Sequence, residues 1–158
     1  MNRSTPLMLI LLVGILAAFP VASQTIDGLQ QVLDYTITIK SLSEAVERGD
    51  YEPPAKFVIL DGTYSELFDA DPETGTVYIE VATGEWIGLE DVKSYHCLIR
   101  LVGDEYVDLF PARVSRDTRE DAIVKGARML IVALPLGVVE LGDGRLIWLL
   151  DGIYYRLL

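Results

Sequence analysis

Cysteine and histidine are the scarcest reactive residues in this 158-residue sequence, which contains one of each, Cys97 and His96. A single cysteine cannot form an internal disulfide, so the hydrophobic core alone must hold the fold together. A single histidine excludes metal sites built from several histidines, although it leaves one candidate base for a catalytic triad. We therefore predict a fold without disulfides that binds no metal or other cofactor.

Short motifs of cofactor-dependent and metal-dependent enzymes are also missing. The sequence contains no GxGxxG, GxxxxGK[ST], GxSxG, HExxH or CxxC segment, and each of these motifs positions a phosphate, a nucleophile or a metal. Its 24 acidic residues include no pair set apart by an apolar environment that would mark a catalytic acid. We predict a non-catalytic protein, and the alternative is an envelope hydrolase that uses unrecognised carboxylates.

Positive charge is scarce as well, because 13 Lys and Arg face 24 Asp and Glu, for a formal net charge of −11. Nucleic-acid binding depends on Lys and Arg displacing counterions from the phosphate backbone. The composition therefore disfavours nucleic acid as a partner. The three arginines of the charged connector, Arg113, Arg116 and Arg119, alternate with acidic residues, which indicates a solvated loop more than a basic stripe.

A long apolar run from Leu7 to Ala18, interrupted only by Gly14, follows a short segment with one basic residue, Arg3. Pro20 and the small residues that end at Ser23 complete the pattern of a secretory signal that is cleaved after Ser23. An uncleaved anchor is the alternative, but the run falls short of the roughly 20 residues that span a bilayer. We expect an exported protein, periplasmic or secreted, with no stable membrane span after cleavage.

The segment before the main β region is predicted to contain one short helix. Apolar residues between positions 26 and 39 fit both helical and strand spacing, and we expect a helix that gives way to an extended segment. Ser41 followed three residues later by Glu44 is typical of a capping box, and Gly49 can end a helix. These signals predict a helix from Leu42 to Arg48.

From residue 56 onward, β-type runs alternate with turn clusters, and no long helical period appears. Gly62 inside the first run indicates a bulge or a bend, as a small barrel needs where one strand serves two sides. The residues from Asp71 to Gly75 and from Gly142 to Gly144 have the composition of turns. The predicted strands are Phe57 to Leu67, Thr76 to Ile87, Ser94 to Val102, Glu105 to Phe110, Gly126 to Val139, Arg145 to Leu150 and Ile153 to Leu157.

This order of strands, with the segments KGARMLIVALPLG and RLIWLLDGIYYRL after a charged connector, resembles the OB-fold. The resemblance covers about two-thirds of the chain, and a generic five- or six-stranded barrel would show a similar pattern. It implies a mainly β protein with a five-stranded barrel and a ligand surface on the second and third strands. We divide the chain into a signal peptide (1–23), an N-terminal helical or extended segment with a proline linker (24–55) and a barrel domain (56–158).

Strand alternation nominates a binding surface on the face opposite Val77 and its neighbours. Two aromatic rings flanked by a cation can stack on a base or a sugar ring. The alternatives are ordinary exposed strand residues, or a Trp86 that belongs to the core at the end of the barrel. The predicted platform consists of Tyr78, Glu80, Trp86, His96 and Arg100.

His96 and Cys97 are adjacent, but neighbours on a strand point to opposite faces, so they cannot form a nucleophile–base pair. By elimination, we expect an exported binding or scaffold module that contacts another envelope or extracellular protein. The alternative is an OB-fold binder of an oligosaccharide or of single-stranded nucleic acid.

Overall fold

The computed structural model describes residues 31–116 and 118–158. The predicted signal peptide and the first residues of the N-terminal segment lie outside this part of the chain. Within the described residues, no helix has the length and apolar character needed to cross a membrane.

A closed ring of five long strands forms the body of the protein. A two-residue strand, β1 (Leu33–Asp34), pairs in parallel with the start of the first long strand. The ring order β2-β3-β4-β6-β5 returns to β2, through an antiparallel β2–β5 pairing and a short parallel β4–β6 pairing. This order confirms the predicted OB-type barrel. The long strands are β2 (Phe57–Asp71), β3 (Thr76–Ile87), β4 (Asp91–Val102), β5 (Arg128–Glu140) and β6 (Leu146–Leu157).

Gly62 lies where β2 changes partners, as its position in the sequence predicted. Residues 58–63 of β2 pair with β5, and residues 63–71 pair with β3. A Cβ atom at Gly62 would lie 2.6 Å from Cγ1 of Val81 and 2.7 Å from Cδ1 of Ile39. Only glycine therefore allows the strand to pass this closely beneath the helix that precedes it.

That helix, α1 (Ile39–Arg48), begins one turn earlier than predicted. Thr38 is its N-cap, since the Thr38 hydroxyl accepts a hydrogen bond from the Ser41 amide at 3.1 Å. The Thr38 amide in turn donates to the Ser41 hydroxyl at 2.8 Å, so Ser41 occupies the third helical position and not the cap. Gly49 ends the helix in a left-handed conformation (φ 76°), as expected.

The predicted strand from Glu105 to Phe110 is wrong. The chain forms a short 3-10 turn there (Asp104–Tyr106), and Phe110 is fully buried against Tyr64, with ring centroids 5.2 Å apart. The apolar residues of this segment cover an end of the barrel and do not pair with a strand.

The last two predicted strands form one strand, β6, and the third predicted strand begins at Asp91 and not at Ser94. β6 runs without interruption through Gly152, where a side chain would collide with β4. A Cβ atom at Gly152 would lie 2.7 Å from Cδ2 of Leu101 and 2.8 Å from Cγ2 of Ile99.

Candidate functional site

A groove lies on the outer surface of the barrel, across β3 and β4. It has a volume of about 400 Å³, within the range of about 300–1,000 Å³ that is usual for ligand clefts. The turn between β5 and β6 forms one wall and the end of β2 forms the other. The lining residues are Phe68, Asp69, Tyr78, Leu98, Val139, Glu140, Leu141, Gly142 and Leu149.

Two aromatic rings contribute to this groove. Phe68 is 44% exposed and lies at an irregularity of β2, where the pairing with β3 shifts between Leu67 and Asp69. Because one strand residue is unpaired at such a bulge, the alternation of side chains is interrupted there. Tyr78 of β3 is partly exposed and follows the regular alternation that buries Val77 and Ile79 on the core side.

Arg100 lies directly across the β3–β4 pairing from Tyr78. Its Nε atom donates to Oδ1 of Asp151 on β6 at 2.9 Å, and about a third of its side chain remains exposed. The Asp151 carboxylate, with a smaller contribution from Tyr78, raises the pKa of Arg100 above its usual value. The guanidinium group is therefore a fixed cation beside the Tyr78 ring.

Glu80 and His96 form a separate cluster next to the groove. Glu80 is only 3% exposed, and its Oε1 atom lies 2.5 Å from Nδ1 of His96. Arg145, in the turn immediately before β6, approaches Oε2 of Glu80 at 3.5 Å and donates to Asp143 at 2.6 Å. The contact with His96, supported by Arg145, holds the pKa of Glu80 below its usual range.

This cluster attaches the β5–β6 turn to the outer face of β3 and β4. Leu141 and Ile147, on either side of that turn, are buried against Leu98 in a small apolar cluster outside the barrel. Glu80 is thus placed to position the wall of the groove, while its burial leaves almost no surface for a ligand.

Trp86 lies apart from the other predicted residues. It is 72% exposed near the tip of the β3–β4 hairpin, opposite Val92, and it does not line the groove. The alternative that placed Trp86 in the core is therefore wrong. Of the five predicted residues, the structure brings Tyr78 and Arg100 together in one place and Glu80 and His96 in an adjacent one.

Sequence reasoning missed Phe68, Leu98, Leu141 and Arg145. Phe68 reaches the groove because of the irregularity in β2. Strand alternation places Leu98 on the outer face of β4 with His96 and Arg100, and an apolar residue on that face was the signal that could have found it. Leu141 and Arg145 flank the glycine-rich turn between β5 and β6. The sequence predicts this turn, but it does not indicate which strands the turn covers.

Cys97 lies on the core face of β4, fully buried, and burial raises the pKa of its thiol. The predicted separation of His96 from Cys97 is confirmed, because the His96 side chain lies on the outer face, 31% exposed. Residues 31–116 and 118–158 contain no group of three or more His, Cys, Asp or Glu residues placed to hold a metal ion.

No protein-family model matches this sequence, and a search of curated proteins finds no significant match. Among solved structures, the chain is similar to the aspartyl-tRNA synthetase from Entamoeba histolytica, with 13% identity and a TM-score of 0.50 over 79% of this chain and 21% of that one. It is also similar to a small single-stranded DNA-binding protein from Streptomyces coelicolor, with 10% identity and a TM-score of 0.44 over 64% of this chain and 90% of that one. A third similar structure is the Plasmodium falciparum SSB in complex with single-stranded DNA, with 16% identity and a TM-score of 0.38 over 68% of this chain and 96% of that one.

These findings correct the main functional prediction and the predicted partner. The similar structures include proteins named for single-stranded DNA binding, which contradicts the protein-contact scaffold and the prediction that nucleic acid is a disfavoured partner, and favours the stated alternative. The prediction that disfavoured nucleic acid rested on the net charge of the whole chain. Net charge describes the average surface, whereas binding depends on the side chains that line one site.

Proposed function

We propose that this protein is a non-catalytic binding module whose groove holds a short stretch of single-stranded nucleic acid. OB barrels bind oligonucleotides on the face of their second and third strands, between the first turn and the turn that joins the last two strands. β3 and β4 are the second and third strands of this ring, and the groove lies on them. The observation that carries the proposal is the pair of rings, Phe68 and Tyr78, in the groove, with Arg100 beside Tyr78.

The binding mode that follows is stacking of bases on these rings. Each stacked base contributes about 1–3 kcal/mol, and every base offers an aromatic face. Leu98 and Leu149 add apolar surface to the same groove. Arg100 is held by Asp151, so its planar guanidinium is positioned before a base arrives and loses little freedom on binding.

The test is binding of fluorescently labelled single-stranded oligonucleotides, measured by anisotropy, with a labelled neutral oligosaccharide in parallel. We expect Tyr78→Ala to weaken oligonucleotide binding by about 5- to 150-fold, which corresponds to the loss of one stacked base. Tyr154→Ala is the matched control, because Tyr154 is 56% exposed on β6 and does not line the groove.

Two results would overturn the proposal. One is a wild-type protein that binds no oligonucleotide. The other is an oligosaccharide that binds and is lost in Tyr78→Ala, since that outcome would identify a glycan site on the same rings.

A further inference from the structure

The cations next to the groove are already neutralised by the protein itself. Arg100 is paired with Asp151 at 2.9 Å. Arg145 is paired with Asp143 at 2.6 Å and approaches Glu80 at 3.5 Å. A phosphate that approached either guanidinium would compete with carboxylates that are already in place.

Two acidic residues of the groove have no basic partner. Asp69 and Glu140 both line the groove and are exposed, and in the described part of the chain neither forms an ion pair. Asp69 accepts a hydrogen bond from the amide of Ala70 at 2.9 Å, and that neutral donor leaves its charge uncompensated. The groove thus presents apolar surface and rings beneath a negative rim.

A charged backbone gains nothing from such a site. The affinity that proteins obtain from phosphates comes from Lys and Arg that release condensed counterions. No described Lys or Arg lines the groove, and the two arginines beside it are paired with carboxylates. The rim carboxylates repel phosphates over a distance of about 10 Å at moderate salt. We infer that the groove recognises the bases of a single strand while the backbone remains in solvent, and that it prefers a strand with an uncharged backbone; this rests on the proposed function.

Two arginines outside the groove offer a separate place for phosphate contacts. Arg113 and Arg116 form no ion pair with other described residues, and both lie on the connector between β4 and β5, outside the groove lining. A strand that extended from the groove onto this connector would gain phosphate contacts there. The double variant Arg113→Gln, Arg116→Gln detects that contribution without changing the groove.

The experiment compares one base sequence on two backbones, DNA and peptide nucleic acid, each titrated against the full chain over a range of salt concentrations. We expect peptide nucleic acid to bind at least as tightly as DNA, and more tightly at low salt. The DNA affinity should stay level or rise with salt, because salt screens the repulsion from the rim. Glu140→Gln should strengthen DNA binding about 2- to 5-fold and leave peptide nucleic acid unchanged. Glu52→Gln, an exposed acid away from the groove, should do neither.

The outcomes distinguish a failure of the uncharged-backbone preference from a failure of the proposed nucleic-acid binding. DNA binding that weakens with salt at a logarithmic slope of about −0.7 or steeper would show at least one phosphate contact and would overturn the inference. So would DNA binding that is lost in the Arg113→Gln, Arg116→Gln variant. Failure of both backbones to bind, or binding that Tyr78→Ala does not weaken, would instead overturn the proposed function.

Discussion

Replacing Gly62 by alanine tests how closely α1 is fitted to the barrel. The added Cβ would lie 2.6 Å from Cγ1 of Val81 and 2.7 Å from Cδ1 of Ile39, and the Ala82 carbonyl oxygen would be 3.2 Å away. Carbon atoms in contact normally lie about 3.5–4.0 Å apart, so each of the two carbon contacts falls short by about 1 Å. Val81 and Ile39 are both buried, with at most 1% exposure, and have little room to move.

Overpacking of this kind costs about 1–3 kcal/mol. For a chain of this length that corresponds to a fall of about 2–12 °C in Tm. Thermal and urea unfolding followed by circular dichroism would measure it. Gly142→Ala is the control, since a Cβ atom at Gly142 would meet no other atom within 4 Å and the backbone there has no positive φ.

A double-mutant cycle identifies the cause. Ile39→Val removes the Cδ1 atom that the new Cβ would meet, so it should cost less in the Gly62→Ala protein than in the wild type. Equal costs in the two backgrounds would mean that the helix does not press on Gly62. A Gly62→Ala protein as stable as the wild type would refute the steric reasoning altogether.

Three further outcomes can be checked by simple measurements. The lowered pKa of Glu80 means that its charged form stabilises the folded state above the usual value of 4.5 and that this contribution is lost as the pH falls through the folded-state value. The urea midpoint of the wild type should therefore fall more on acidification than that of Glu80→Gln, and equal falls would contradict the ion-pair assignment. Thr38→Ala should cost about 1 kcal/mol of unfolding free energy through loss of the helix cap, whereas no change in the urea midpoint would argue against the cap. Cys97 should react with a thiol reagent only after unfolding, because it is fully buried; reaction at the rate of an exposed cysteine would contradict its place in the core.

Local patterns accounted for much of the barrel. Alternation of apolar residues identified β3 and placed His96 and Cys97 on opposite faces, because the period of a strand is set by its own backbone. The bend at Gly62 was predicted because a glycine inside a strand commonly marks a bulge or a bend. The start of α1 was missed because Thr38 and Ser41 are both good caps, and only the course of the chain decides which one is used. The signal peptide at positions 1–23 stays a prediction.

The groove could be found only in the folded molecule. Its wall exists because the β5–β6 turn folds back over β3 and β4, and that contact follows from closure of the ring through the β2–β5 and β4–β6 pairings. Tyr78 and Arg100 could be paired by strand parity, but the ion pair of Glu80 with Arg145 joins β3 to the distant β5–β6 turn. Alternation assigns a face to each residue without saying what covers that face. Coverage and the sign of the local charge are set by residues far apart in the sequence, and only the tertiary structure brings them together.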